Sequence, residues 1–374
     1  MRPLFLYGSL RDEELMAIVL GRAPEAPRPA RAPGYAVRRL ADEDYPVLVP
    51  ADGEVAEGLL IDPPGPRELD RLSFYEGEEF EIGELEVESA RGAERAAFFR
   101  PTVKAAATGA RWDFRRWRER DRAVAIEAAR ELMEHHGAIS PDEVEALWPG
   151  VDRRARQRTR ARAMPRRTGL GRRVAGPGDV EVLELRRPFT GYLTVEEMTL
   201  SYRRFDGGRL GPVERTAVLW GDAVTVLPYD PAADRVLVIE QFRPGPAARG
   251  DPDPWCIEVV AGRIDAGETA EEVARREARE EAGLELGRVE RIAAYYPSPG
   301  LAAEHITAFV AEARLSGAGG LYGVAHENED IRSIALGFDE AMQAVRDGTV
   351  NAGPALVSLL WLGAERGRLR REWG

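Results

Sequence analysis

The 374-residue chain has a single cysteine, Cys256, which excludes an intrachain disulfide and suits a reducing compartment. Its four histidines, His135, His136, His305 and His326, are too few and too scattered to draw a Cys/His zinc site. No apolar run approaches the ~18 residues of a membrane span. The opening stretch, Met1 to Leu10, is too short for a signal peptide and meets Arg11-Asp12-Glu13 at once. Lys104 is the sole lysine among 52 basic residues, so the arginine bias is chain-wide. The formal charge of −12 argues against general nucleic-acid binding. Together these absences predict a soluble, cytoplasmic protein with neither membrane nor nucleic acid among its partners.

The charge is unevenly spread. Residues 153–173 hold ten arginines and no acid, against the acidic excess elsewhere. Such a run can grip a nucleic acid or an acidic partner, but it has no interleaved aromatics to stack bases. With arginine favoured throughout, a solvated segment is the simpler reading.

The length is too great for one ordinary core, and two or three domains are expected. Buried or alternating runs at Leu4 to Tyr7, Tyr45 to Val49, Val55 to Ile61, Leu85 to Val87 and Ala96 to Phe99 spell a small β-rich domain. Helices are predicted at Glu13 to Leu20 and around Arg67 to Tyr75. Another spans 112–135, with Trp117, Val124, Ala128 and Leu132 on one face. Ser140-Pro141-Asp142-Glu143 is a capping box that opens a helix into the arginine run. Pro165, Gly169, Gly171, Gly176, Pro177 and Gly178 mark a boundary near 165–178.

The most informative stretch is 262–284, Gly-Arg-Ile-Asp-Ala-Gly-Glu-Thr-Ala-Glu-Glu-Val-Ala-Arg-Arg-Glu-Ala-Arg-Glu-Glu-Ala-Gly-Leu. Thr269 and Glu272 form a capping box, and Gly283 suits the helix end, so a short helix is predicted between them. Glu277 and Glu281 share a face at i and i+4, with Glu280 beside them. They repel one another and crowd the negative end of the helix dipole, where cations are preferred. A hard divalent cation such as Mg²⁺ offsets this, since it takes carboxylate oxygens and shares them with substrate phosphates. The pattern points to a metal site built to grip a polyphosphate; the alternative is a charged, solvated surface helix.

The same residues resemble the Nudix box, G-x5-E-x7-R-E-U-x-E-E-x-G-U with U aliphatic. Gly262, Glu268, Arg276, Glu277, Glu280, Glu281, Gly283 and Leu284 all fall in place, and only Ala278 is small for its position. The resemblance implies an α/β/α sandwich and Mg²⁺-dependent hydrolysis of a nucleoside diphosphate derivative, with Mn²⁺ as the alternative metal. It implies Glu277, Glu280, Glu281 and the Ala261 carbonyl as metal ligands, with Glu280 also among the catalytic residues. Gly262, Glu268, Arg276 and Gly283 become structural. The Leu237-to-Arg243 run, Trp255, Glu258, Pro299 sixteen residues after Gly283, and His326-Glu327-Asn328-Glu329-Asp330-Ile331 resemble the ADP-ribose pyrophosphatase branch. That branch implies ADP-ribose as substrate, Glu327 as general base, and Arg243, Arg215, Tyr192 and Pro299 at the substrate. It also implies a homodimer in which Arg215 and Tyr192 reach the partner's ligand. Other readings are a different diphosphate, such as a nucleotide sugar, and a non-catalytic ADP-ribose sensor.

The N-terminal part resembles the γ-glutamylcyclotransferase-like (AIG2-like) fold through Tyr7-Gly8-Ser9-Leu10 after the first strand, Tyr45-Pro46, Gly58-Leu59-Leu60, Leu69-Asp70 and Tyr75-Glu76-Gly77. The resemblance implies a small β-barrel-like domain with trailing helices, a loop Tyr7, Gly8, Ser9 and Leu10 that holds a glutamyl carboxylate, and Glu76 as the proton shuttle. Phe80 stands where a tyrosine is usual, and Ser73-Phe74-Tyr75 interrupts the usual spacing. Both an active enzyme on a γ-glutamyl compound and a retained binding domain are therefore open. The expected organisation is an AIG2-like domain at 1–110, a helical, arginine-rich connection at 111–177 and a Nudix domain at 178–374, in a mixed α+β and α/β chain.

Overall fold

The computed structural model describes residues 2–40, 45–102, 107–324 and 329–374, the side chains of 107, 108, 141 and 142 excepted. The chain divides into two compact units, Met1–Val174 and Ala175–Gly374.

The first unit is a barrel with helices against it. Its strands are β1 (Leu4–Leu6), β2 (Arg28–Leu40), β3 (Pro46–Ile61), β4 (Phe80–Ser89), β5 (Gly92–Pro101) and β6 (Ala107–Arg111). The order β3-β1-β5-β4-β2 closes on itself through a β2–β3 pairing, and β6 adds to β2 outside the ring. Closure leaves the five barrel strands no free edge. The two runs read at Tyr45 to Val49 and Val55 to Ile61 are halves of β3. Pro33 pairs with Val55 and Tyr35 with Pro50, so the residues between bulge out of the ladder.

The helices are α1 (Glu13–Leu20), α2 (Pro66–Glu76), α3 (Phe114–Arg120), α4 (Arg122–Leu132) and α5 (Pro141–Ala163). Asp12 caps α1, its carboxylate accepting the Leu15 N–H at 3.2 Å. The single helix predicted over 112–135 is two, because the chain bends at Asp121, whose φ is −117°. The predicted apolar face divides accordingly. Trp117, Ile126 and Ala129 pack on the barrel core, while Val124 and Ala128 meet Val151 and Ala155 of α5. Residues 114–163 of the expected connection thus belong to the first unit.

Three arginines of the run, Arg154, Arg158 and Arg162, have a structural task. Arg154 and Glu131 are each 1 % exposed and bonded at 2.8 Å, with Arg158 on the other Glu131 oxygen at 2.8 Å. Arg162 and Arg130 hold Glu127 in the same way. A buried carboxylate needs such partners, and α4 supplies the acids that α5 neutralises.

The second unit has two sheets. β7 (Val180–Thr190), β8 (Thr194–Arg203) and β9 (Arg209–Leu219) form a meander. The larger sheet runs β14-β15-β10-β11-β17-β16, with β12 on β11 and β13 on β10. Its strands are β10 (Ala223–Asp230), β11 (Arg235–Phe242), β12 (Trp255–Glu258), β13 (Val260–Arg263), β14 (Val289–Tyr295), β15 (Ile306–Glu312), β16 (Gly320–Tyr322) and β17 (Ile331–Gly337). A short helix, α6 (Pro244–Arg249), follows β11. Alternation along the strands feeds two cores. Val226 and Leu237 face α7 (Ala270–Ala282), whereas Leu227 and Val236 face α8 (Phe338–Asp347) and α9 (Gly353–Trp373). This is the expected α/β/α sandwich. No helix among the described residues is long and apolar enough to cross a membrane.

Candidate functional site

Helix α7 begins and ends as the sequence predicts. Thr269 Oγ1 accepts the Glu272 N–H at 3.3 Å, and the Glu272 carboxylate accepts the Thr269 N–H at 2.8 Å. Gly283 turns left-handed at φ +62°, and Leu284 N–H reaches back to the Ala278 carbonyl at 2.9 Å. A Cβ at Gly283 would also meet the Tyr322 ring at 2.8 Å.

The loop before the helix is pressed onto its acidic face. A Cβ on Gly262 would stand 1.7 Å from Glu277 Oε1 and 2.4 Å from its Cγ, so any larger residue must displace that side chain. Glu281 is 2 % exposed and accepts the Ala261 N–H at 3.0 Å. Arg276 gathers the rest. Its Nε donates to Glu268 at 2.8 Å, its Nη1 to Glu277 at 2.6 Å and Glu280 at 3.0 Å, and its Nη2 to the Arg263 carbonyl at 3.3 Å.

Electrostatics marks the site. Burial pushes the Glu277 carboxyl up to about 7; Arg276 pulls against this, while Glu280 and Glu329 add to it. Burial holds Glu281 well above the usual carboxylate range, helped by the charges of Glu277 and Glu329 and opposed by the Ala261 N–H. Glu329 thus reaches both acids through its charge. It stands in the acidic run from which the sequence singled out Glu327 alone, and Glu327 itself lies outside the described residues. Among the described residues no three His, Cys, Asp or Glu side chains form a ready metal-ligating group. Arg276 instead occupies oxygens of Glu277 and Glu280. The acids still suit a hard cation: Glu281 is buried, the carboxylates repel one another across one helix face, and a single guanidinium is shared between Glu277 and Glu280, beside a cradle that a Cβ at Gly262 would fill.

The expected substrate residues lie in four different parts of this unit: the end of β11, the β14–β15 loop, β9 and the β7–β8 turn. The Arg243 Nε lies 3.1 and 3.0 Å from the two Glu258 oxygens, a pairing that raises its pKa against the effect of burial. Pro299 lies in the loop between β14 and β15, which joins β9 through Val218 N–H to the Leu301 carbonyl at 2.9 Å. In that loop Glu304 accepts the Trp220 indole N–H at 3.0 Å. Burial raises its carboxyl, while Arg263 and Arg243 pull the other way. No spacing in the sequence pointed to Glu304. Arg215 is on β9, exposed, with Nη1 on the Glu214 carbonyl at 2.7 Å. Tyr192, in the β7–β8 turn, lies under the Arg263 guanidinium of its own chain at 4.2 Å.

The first unit gathers a second group. Tyr7 follows β1, and its hydroxyl donates to the Phe99 carbonyl at 2.7 Å. A Cβ on Gly8 would stand 2.5 Å from Pro46 Cγ. Ser9 begins a single turn of 3-10 helix and bonds to the Tyr75 hydroxyl. Leu10 turns its side chain into the barrel core, so only its backbone can serve a ligand. Glu76 ends α2 beside these groups, and burial pushes its carboxyl up to about 7. Its charge in turn raises the tyrosine hydroxyls of Tyr7 and Tyr75, after the larger effect of their own burial. The loop and the acid predicted from the sequence do converge.

Comparison with known proteins finds a family match in each unit. A NUDIX domain model matches residues 219–351, and a gamma-glutamyl cyclotransferase, AIG2-like model matches residues 4–118. An ADP-ribose pyrophosphatase of Escherichia coli (strain K12) is 36% identical over 198 residues, 53% of this chain and 94% of that protein. One from Haemophilus influenzae is 34% identical over 197 residues, covering 52% and 91%. A GDP-mannose pyrophosphatase of Enterobacter sp. (strain 638) is 36% identical over 145 residues, covering 38% and 73%. The N-terminal unit matches the AIG2-like gamma-glutamyl cyclotransferase model, and through its C-terminal unit the chain belongs to the Nudix hydrolases.

Proposed function

We propose that the Nudix unit hydrolyses the diphosphate of ADP-ribose to AMP and ribose 5-phosphate. The observation that carries this reading is Glu281, 2 % exposed in the field of two further acids, beside a glycine against which Glu277 is pressed. Glu277, Glu280, Glu281, the Ala261 carbonyl and Glu329 would hold Mg²⁺, or Mn²⁺ in its place. When bound, the metal neutralises the diphosphate and acidifies water. Arg276 orients the acids, Arg243 and Arg215 meet phosphate oxygens, and Glu327 accepts the proton of the attacking water. The proposed working form is a cytoplasmic homodimer; the exposed apolar residues of the meander, Val180, Val182, Leu183 and Phe189, support an interface there. Assay of ADP-ribose beside GDP-mannose and other nucleoside diphosphate derivatives, with products identified, tests the reading. Preference for GDP-mannose would make the enzyme a nucleotide-sugar hydrolase, and inactivity toward all of them would leave a sensor.

For the N-terminal unit we propose a γ-glutamyl cyclotransfer. The α-amine of a γ-glutamyl compound attacks its own γ-carbonyl carbon, the bond to the leaving amine breaks, and 5-oxoproline forms. Glu76 takes the proton from the attacking nitrogen and returns it to the leaving one, a task suited to a carboxyl poised near 7. Backbone N–H groups of Gly8, Ser9 and Leu10 bind the glutamyl carboxylate. Release of 5-oxoproline in EDTA tests this, and no turnover of any γ-glutamyl compound would reduce the domain to a binding module.

A further inference from the structure

The hydrolysis just described gives Glu258 no part. It lies on β12 opposite Ile239 of β11, and side chains directly across a pair share a face. Period two puts Gln241 on that face as well, and Arg243 after it, still extended at φ −126° and ψ 129°. Ile239 packs into the core that α7 completes, so Glu258 and Arg243 stand on the side of the acidic cluster. The two Glu258 oxygens accept the Arg243 Nε at 3.1 and 3.0 Å, and Oε2 also accepts Nη2 at 2.5 Å. Gln241 Nε2 adds a longer bond to Oε2 at 3.4 Å.

The acids show why such a hold matters. Glu277 and Glu280 share Arg276. Glu281 is 2 % exposed, and among the described residues its carboxylate accepts the Ala261 N–H and no cation is bonded to it. Arg243 is a cation whose charge does reach Glu281. A buried carboxylate without a counter-charge draws an arginine within reach into a salt bridge. An arginine seated there would take the oxygens that a hard cation needs. The fork on Glu258 opposes this by holding Nε and Nη2 on the β12 side. Glu258 is the more buried partner, its side chain 17 % exposed against 39 % for Arg243, so the acid is the fixed end of the pair.

We infer that Glu258 is a positioning residue: by forking Arg243 it keeps that guanidinium off Glu281 and leaves the buried carboxylate open to a divalent cation. The inference rests on the metal-dependent hydrolase reading. The competing role is a purely structural one, in which the pair only ties β12 to the end of β11.

Binding of Mn²⁺ alone to the full chain, read from the loss of the free-ion EPR signal, separates the two roles without turnover. In E258A the released Arg243 should raise the Mn²⁺ Kd about tenfold to a hundredfold, the range of a charge-assisted hydrogen bond. Removing that arginine as well, in R243M/E258A, should bring the Kd back to that of R243M alone. E258Q keeps the shape without the charge, and with R243M/E258Q it repeats the comparison should E258A lower Tm. An unchanged Kd when Glu258 is replaced, or a Kd that stays equally weak once Arg243 is also removed, would overturn the assignment while the wild type still binds Mn²⁺. No binding of Mn²⁺ by the wild type would overturn the metal-dependent reading and the assignment with it.

Discussion

Substitution of Glu76 by Gln should make the protein more stable in alkaline buffer and leave it unchanged in acid. Burial lifts this carboxyl from its ordinary 4.5 to about 7. The unfolded chain therefore releases the proton first, and between those values the folded state binds more protons. Stability must then fall as pH rises through that window, level off above it, and be fully present below the lower value. A rise of about 2.5 in pKa at 1.36 kcal/mol each corresponds to ~3 kcal/mol. The carboxyl keeps some contact with solvent, so this is a ceiling. For a unit of this size 1 kcal/mol moves Tm by roughly 2–4 °C, which makes the expected gain up to about 6–12 °C. Calorimetry of wild type and Glu76→Gln at several pH values reads it. The difference in Tm should be constant below pH 4.5 and widen in favour of the variant up to about pH 7. Any effect of the substitution that does not depend on protonation adds only a constant offset, so the slope decides. A difference independent of pH would refute the buried-acid reasoning. The same variant should lose 5-oxoproline release.

Gly262→Ala would drive a Cβ to 1.7 Å from Glu277 Oε1. The displaced carboxylate should cost roughly a hundredfold in hydrolysis, while overpacking lowers stability by about 1–3 kcal/mol; normal kinetics would show that Glu277 is not held where the loop puts it. Because Tyr192 lies on Arg263 of its own chain, mixing Tyr192→Ala with Glu281→Gln chains should restore no activity. Recovery, with subunit exchange demonstrated, would return Tyr192 to the partner's site.

The Nudix helix was legible because its signals are local. A capping box, a stop glycine and carboxylates at helical spacing lie within a few turns, and the fold adds only the strand against which they press. Helix α1 was legible for the same reason. β2 was not read, since Pro29, Pro33 and Gly34 interrupt its pattern, yet Gly34 at φ +77° is where the ladder bulges opposite the residues between Pro50 and Val55. The break at Asp121 escaped notice because aspartate does not forbid a helix; the demand to pack on both the barrel and α5 imposes it. The β7–β9 meander was not read, since its apolar residues are exposed and alternate weakly. Glu304 and Glu329 were invisible as site residues because the tertiary fold, not spacing, brings them to Arg263 and to Glu281. Arg154 and Arg158 read as solvated charge and are instead a buried and a half-buried counter-ion, because their partner lies a whole helix away.

The central claim is that buried glutamates on α7 make this chain a metal-dependent diphosphate hydrolase. Phosphorus NMR of ADP-ribose incubated with Mg²⁺ and either wild type or Glu281→Gln tests it directly. The account predicts that the diphosphate resonances give way to those of AMP and ribose 5-phosphate with the wild type. With Glu281→Gln, or with EDTA present, they persist while the protein remains folded. Equal hydrolysis by Glu281→Gln and wild type, or an unchanged diphosphate with both, would contradict it.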